Sequence, residues 1–106
     1  HGFIGKTNQA AADEYYPSYA VPMSKLGAER GWGPMTRGQY DMMCGPAGSL
    51  VIGDPETVAA KILRWGEILD LSRFMLHISV GTLPHDRVLE CIELLGTKVA
   101  PLVRGA

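Results

Sequence analysis

Residues 49–53, Ser-Leu-Val-Ile-Gly, run without a spacer into Asp54-Pro55-Glu56-Thr57-Val58. A short β-branched run that stops at a glycine and meets a capped helix at once limits the chain more than any other feature. Asp54 can accept the free N–H groups of a first turn, Pro55 suits the first helical position, and Glu56 suits the positive end of the helix dipole. Val58, Ile62, Trp65 and Leu69 then recur at helical spacing and fall on one face. Residues 73–81, Arg-Phe-Met-Leu-His-Ile-Ser-Val-Gly, read as a nearly continuous apolar strand, the kind covered on both faces in a parallel sheet. Pro84 opens a last helix with the stripe Val88, Ile92, Leu95, Val99 and Leu102. Strand, helix, strand, helix implies parallel pairing with right-handed crossovers, so the expected class is α/β.

The first half is less regular. Phe3 and Ile4 read as a strand end, and Thr7 or Asn8 can cap a helix through QAAADEYY. Pro17 either kinks that helix or begins another, and Pro22 repeats the interruption. The second segment is expected to stop near Gly31. Residues 31–49 then hold five glycines and two prolines in 19 residues, the chemistry of turns, with one short helix starting at Thr36 and running through Tyr40. A loop of this length in a compact domain is either a lid or binding loop, or an insertion without chemistry.

With 106 residues, 46% of them hydrophobic and 20% charged, the chain can bury one small core. A net charge of −1 argues for neither a nucleic-acid nor an anionic-membrane partner. No apolar run approaches the ~20 residues of a membrane helix. The start has no signal-peptide pattern. Cys44 and Cys91 form no CxxC, and reduced thiols in a cytoplasmic setting are expected. His1, His77 and His85 lack metal-ligand spacing, so no metal is expected. A first residue of His1 rather than Met suggests a piece of something larger. Two β/α units cannot close a barrel and would leave sheet edges and helix faces open. The expectation is therefore a larger α/β protein or a homo-oligomer.

The motifs, taken in order, resemble a known family. HGFIG-x-T, YYPSY, M-x-x-L-G-x-E-R-G-W-x-P-M-T-R, VIGDPETVAAKI, RFMLHISVGTLPH and ELLGTKVAPLVR look like the C-terminal portion of the luciferase-like flavin monooxygenases, relatives of bacterial luciferase and alkanesulfonate monooxygenase. The resemblance spans residues 1–106 and implies the last β/α units of a (β/α)₈ TIM barrel, incomplete in this chain. It places 32–48 in a variable insertion before strand seven, SLVIG in strand seven and RFMLHIS in strand eight. It implies reduced FMN, or in some members a deazaflavin, an organic substrate oxidised with O₂, and a flavin reductase as a partner of the whole enzyme. The residues that chiefly hold the flavin phosphate would lie on earlier strands, outside this chain, so the isolated chain is expected to be inactive. A non-catalytic α/β remnant that self-associates is the alternative.

A few residues remain as candidates. Gly81, with Thr82, would form the rim after strand eight and contact the flavin; Gly81 equally suits an ordinary strand-to-helix turn. Thr82 stands at a position commonly glycine in the family, and His77 where glutamine is frequent. His77 would face substrate or serve as a hydrogen-bonded core residue. Arg37, in the lid, is the candidate for an anion or substrate contact, against a solvated loop arginine. Asp54 repels a phosphate and is expected to cap. Trp32 and Met35 would fold the lid down, and Tyr15, Tyr16 and Tyr19 would pack. No catalytic residue is nominated.

Overall fold

The computed structural model describes residues 1–78 and 83–105. Its order is β1 (Gly2–Ile4), α1 (Asn8–Glu29), α2 (Arg37–Cys44), β2 (Val51–Gly53), α3 (Pro55–Leu69) and α4 (His85–Leu94). A π-turn over Leu95–Val99 and the short α5 (Ala100–Arg104) complete it. β1 and β2 pair in parallel, with Gly2 opposite Val51 and Ile4 opposite Gly53. The expected α/β class is therefore present, as a small domain around a two-stranded parallel sheet, but the parallel partner of β2 is β1 rather than the 73–81 run that the sequence suggests. No helix among the described residues is long and apolar enough to cross a membrane.

The caps form where the sequence puts them. Thr7 accepts the amide of Ala10 at 3.1 Å and starts α1. Thr36 and Gln39 form a reciprocal capping box on α2. Asp54 accepts the Thr57 amide at 2.8 Å, with Pro55 opening α3. Each is a contact within four residues, so local sequence decides it.

Three expectations need correction. Pro17 and Pro22 do not divide α1, which runs unbroken from Asn8 to Glu29. Ala11, Tyr15, Ser18 and Tyr19 form one buried stripe past Pro17, while Pro17 itself is exposed. Packing of that stripe holds a single axis despite the missing amides. The last helix buries Cys91 and Val99, and Val103 packs on the core where Leu102 was expected; Ile92 and Leu102 are exposed. The π-turn before Pro101 widens the helix and shifts its face, because a proline ring crowds the preceding turn.

The third correction concerns the expected strand over 73–81. Residues 73–78 form no strand, and 79–82 lie outside the described residues. Along a strand the peptide groups alternate between edges. Val51 donates to His1 at 3.0 Å, so Leu50 and Ile52 direct their groups to the far edge of β2. There the Leu50 amide donates to the Met43 carbonyl at 3.0 Å and the Leu50 carbonyl accepts from Lys61. A third strand has no room to pair at Leu50. The 73–78 segment instead meets β1, whose Gly2 amide donates to the His77 carbonyl at 3.0 Å. The Ile4 amide donates to the Cys91 thiol sulfur at 3.2 Å. The sheet faces are not open either: all six strand residues are buried.

The core joins Phe3, Ile4, Leu50, Val51, Ile52, Val58 and Ile62 to an aromatic cluster. Tyr15 stacks on Phe3 at 5.4 Å, and Tyr40 meets Tyr16 edge-on at 4.8 Å. Both buried phenols are satisfied: Tyr15 donates to the Ile78 carbonyl at 3.1 Å and Tyr40 to the Ala12 carbonyl at 2.8 Å.

At the β2–α3 turn the chains approach closely. A methyl at Gly53 would lie 2.5 Å from Asn8 Oδ1 and 3.1 Å from the Thr57 methyl. Asn8 Oδ1 accepts the Asp54 amide at 2.8 Å, and a Gly53→Ala side chain displaces it. The expected cost is about 1–3 kcal/mol, read as a lower urea midpoint. Gly66→Ala, in the last turn of α3 with nothing within 4 Å of the added methyl, should instead be neutral or stabilising by up to ~1 kcal/mol.

Candidate functional site

A cleft of about 650 Å³ lies between the start of α1, the end of α2 and α3, with Ile52 of β2 in its lining. Asn8, Asp41, Cys44, Lys61 and Arg64 bring its polar and nucleophilic chemistry. α3 contributes Thr57, Lys61 and Arg64 from successive turns of one face. α2 contributes Asp41 and Cys44, three apart, from its last turn.

Lys61 dominates this site. Its side chain is almost wholly buried, at 6% exposure, and its ammonium donates to the carbonyls of Gly45 at 2.7 Å, Met43 at 3.4 Å, and Leu50. Three donors meet three acceptors, so the charge is held by main-chain dipoles. Burial pushes its pKa below the ordinary 10.5, and the neighbouring Cys44 opposes that shift. Two of the accepting carbonyls, Met43 and Gly45, stand at the C-terminal end of α2, where a cation is favoured. Lys61 is not among the stripe residues Val58, Ile62, Trp65 and Leu69 that the sequence shows. The available signal was the segment 45–49, Gly-Pro-Ala-Gly-Ser, where a proline without an amide leaves carbonyls in excess of donors.

Cys44 is half-buried and free. Burial raises its pKa above 9.0, against the lowering effects of the Tyr40 hydroxyl and Lys61. It is a thiol at neutral pH, and the cleft has no activated nucleophile in Cys44.

Arg37 does not reach the cleft as a free cation. Its guanidinium bonds Asp13 at 2.6 Å and Asp41 at 2.9 Å, and lies over the rings of Tyr16 and Tyr40 at 5.0 and 5.4 Å. Those contacts hold the Asp13 carboxyl below its usual range. Arg37 is thus a tie between α2 and α1. His77 is exposed and stacks on His1 at 4.6 Å, away from the cleft. Gly81 and Thr82 lie outside the described residues. Trp32 is exposed and packs under Gly27, while Met35 joins the core margin. No cluster of three metal-ligating groups occurs among the described residues.

Among the described residues, three places that could meet a phosphate are already taken or opposed. Arg37 is spent on two carboxylates. The α3 N-terminus has its Thr57 amide taken by Asp54 and carries Glu56 in its first turn. Near α4, Arg87 pairs with Glu14 at 2.9 Å and Glu90 at 3.0 Å. Scanned against protein-family models the chain matches none, and no curated protein matches it.

The buried titratable groups predict alkaline behaviour. Burial raises the pKa of Cys44 and Cys91 above 9.0, and of Tyr15, Tyr19 and Tyr40 above 10.0. Above those unfolded values the unfolded chain loses protons that the folded chain keeps, so stability falls as pH rises. Lys61 works the other way: between its lowered folded value and 10.5 the unfolded chain holds the extra proton, and stability rises. Five groups outweigh one. Urea midpoints taken in reductant should be level near pH 7–8 and decline from about pH 9 upward. Lys61→Met removes the opposing contribution and should steepen the decline.

Proposed function

We propose that this chain is the C-terminal β/α portion of a luciferase-like flavin-dependent monooxygenase, a structural part of the barrel with no complete catalytic site of its own. The observation that carries the reading is parallel pairing of β1 with β2 across a helical crossover, followed by a helix packed back on β2. This is the repeating element of barrel architecture, and the ordered motif series supplies the family. In the intact enzyme the flavin phosphate would be held by residues on strands outside this chain, and oxygen chemistry would belong to the reduced flavin. The contribution of this chain is packing: α3 and α4 would cover the outside of the barrel, and α2 would form part of the variable insertion over it.

The product of the natural gene tests the reading. A product longer than 106 residues that quenches FMN fluorescence, and consumes O₂ with reduced flavin faster when an organic substrate is added, supports it. The isolated 106 residues should leave FMN fluorescence unquenched at high micromolar flavin. A natural product of only 106 residues without flavin binding overturns the enzyme reading.

The second reading, a self-associating α/β remnant, is favoured by one surface. Trp65, Leu69, Leu71, Phe74 and Met75 line a single depression, with Met75 87% exposed. An apolar surface of this kind gains from being covered. The open surface is this helix face and the 71–75 segment, since the sheet is closed. Light scattering on a size-exclusion column should then give a dimer mass, and Met75→Lys should return it to the monomer. A monomer at all loading concentrations rejects this alternative.

A further inference from the structure

We infer that the segment 44–49 is a releasable strap over the far edge of β2, and that Lys61 is the latch that closes it. The inference stands apart from the family reading, because it needs only the contacts within this chain.

The strap is internally folded. Gly48 donates to the Gly45 carbonyl at 3.0 Å, Gly45 donates to Met42 at 3.1 Å, and Leu50 donates back to Met43 at 3.0 Å. Any side chain at Gly48 would overlap the Met43 main chain, so the turn is wound tightly on the end of α2. Among the described residues, its polar tie to α3 is Lys61, which bonds Met43 and Gly45 on one side and Leu50 of the β2 edge on the other. One buried ammonium thus holds the two ends of the strap together.

α2 has separate anchors. The Tyr40 ring is fully buried and its hydroxyl donates to Ala12, while Arg37 reaches Asp13. Loss of the latch therefore frees the strap and the last turn of α2 with its Met43 carbonyl, while Tyr40 and Arg37 keep the start of α2 on α1. Opening widens the cleft at Cys44 and exposes the Leu50 edge of β2, the group that a further strand would pair with. Locally held segments of this kind open below the free energy of global unfolding.

Native-state amide exchange followed by NMR tests this on the unmodified chain. Leu50 and Val51 are adjacent, yet Leu50 is held by the Met43 carbonyl in the last turn of α2, where the strap begins, and Val51 by β1 through His1. Leu50 and Gly48 should exchange by a local opening with little denaturant dependence, at least about tenfold faster than Val51 after correction for intrinsic rates, a factor equal to ~1.4 kcal/mol. Lys61→Met should widen that ratio by about another tenfold or more, and speed thiol labelling of Cys44 while Cys91 stays protected. Equal protection and equal denaturant dependence for Leu50 and Val51 in the unmodified chain would overturn the latch. So would Lys61→Met accelerating Cys44 and Cys91 together.

Discussion

A β-strand has two edges, and in a sheet of two strands each outer edge must find partners that are not strands. The rest of this structure depends on how that requirement is met. On β1, the Gly2 amide goes to the His77 carbonyl and the Ile4 amide to the Cys91 sulfur. On β2, Met43 and Lys61 take the two groups of Leu50. A thiol is a weak acceptor and a lysine an expensive group to bury. Both are used because an unpaired buried peptide group costs more than either compromise.

These caps explain the arrangement of the helices. α4 must lie against β1 for Cys91 to reach Ile4. α3 must turn its Lys61 face toward the end of α2, and that requirement brings Asp41, Cys44 and Arg64 to one cleft. The aromatic cluster fills the space between α1 and β1, and Arg37 closes it from outside by covering Tyr16 and Tyr40. Polar ties and core packing thus converge on α2, a short helix set within the glycine- and proline-rich segment 31–49.

Legibility in the sequence followed distance along the chain. The Thr7, Thr36 and Asp54 caps and α3 were readable because each rests on neighbours or on one clear periodicity, whereas the parallel partner of β2 proved to be β1, about 50 residues upstream. α1 was not readable, because two prolines carry a strong local signal and the stripe through Ala11, Tyr15 and Tyr19 overrides it only by tertiary burial. The 73–78 run was misread for a similar reason. It is apolar enough for a strand and meets β1 at the Gly2–His77 bond, but the next groups on the two edges, at Ile4 and Leu50, are taken by Cys91 and Lys61, from 87 and 11 residues away. The site was legible in parts. Arg37, nominated for an anion or substrate contact, is tied to Asp13 and Asp41. Lys61 was passed over because its acceptors are main-chain carbonyls, which no side-chain pattern displays.

The claim that matters most is that the isolated chain closes its own sheet. Amide exchange at Ile4 tests it most directly, since that group lies on the outer edge of β1 and, among the described residues, has the Cys91 sulfur as partner. The account predicts that Ile4 is as well protected as Val51 in the ladder, and that Cys91→Ala removes the protection at Ile4 first. Exchange of Ile4 near the rate of an unstructured peptide in the unmodified chain would contradict it, because the edge would then be open.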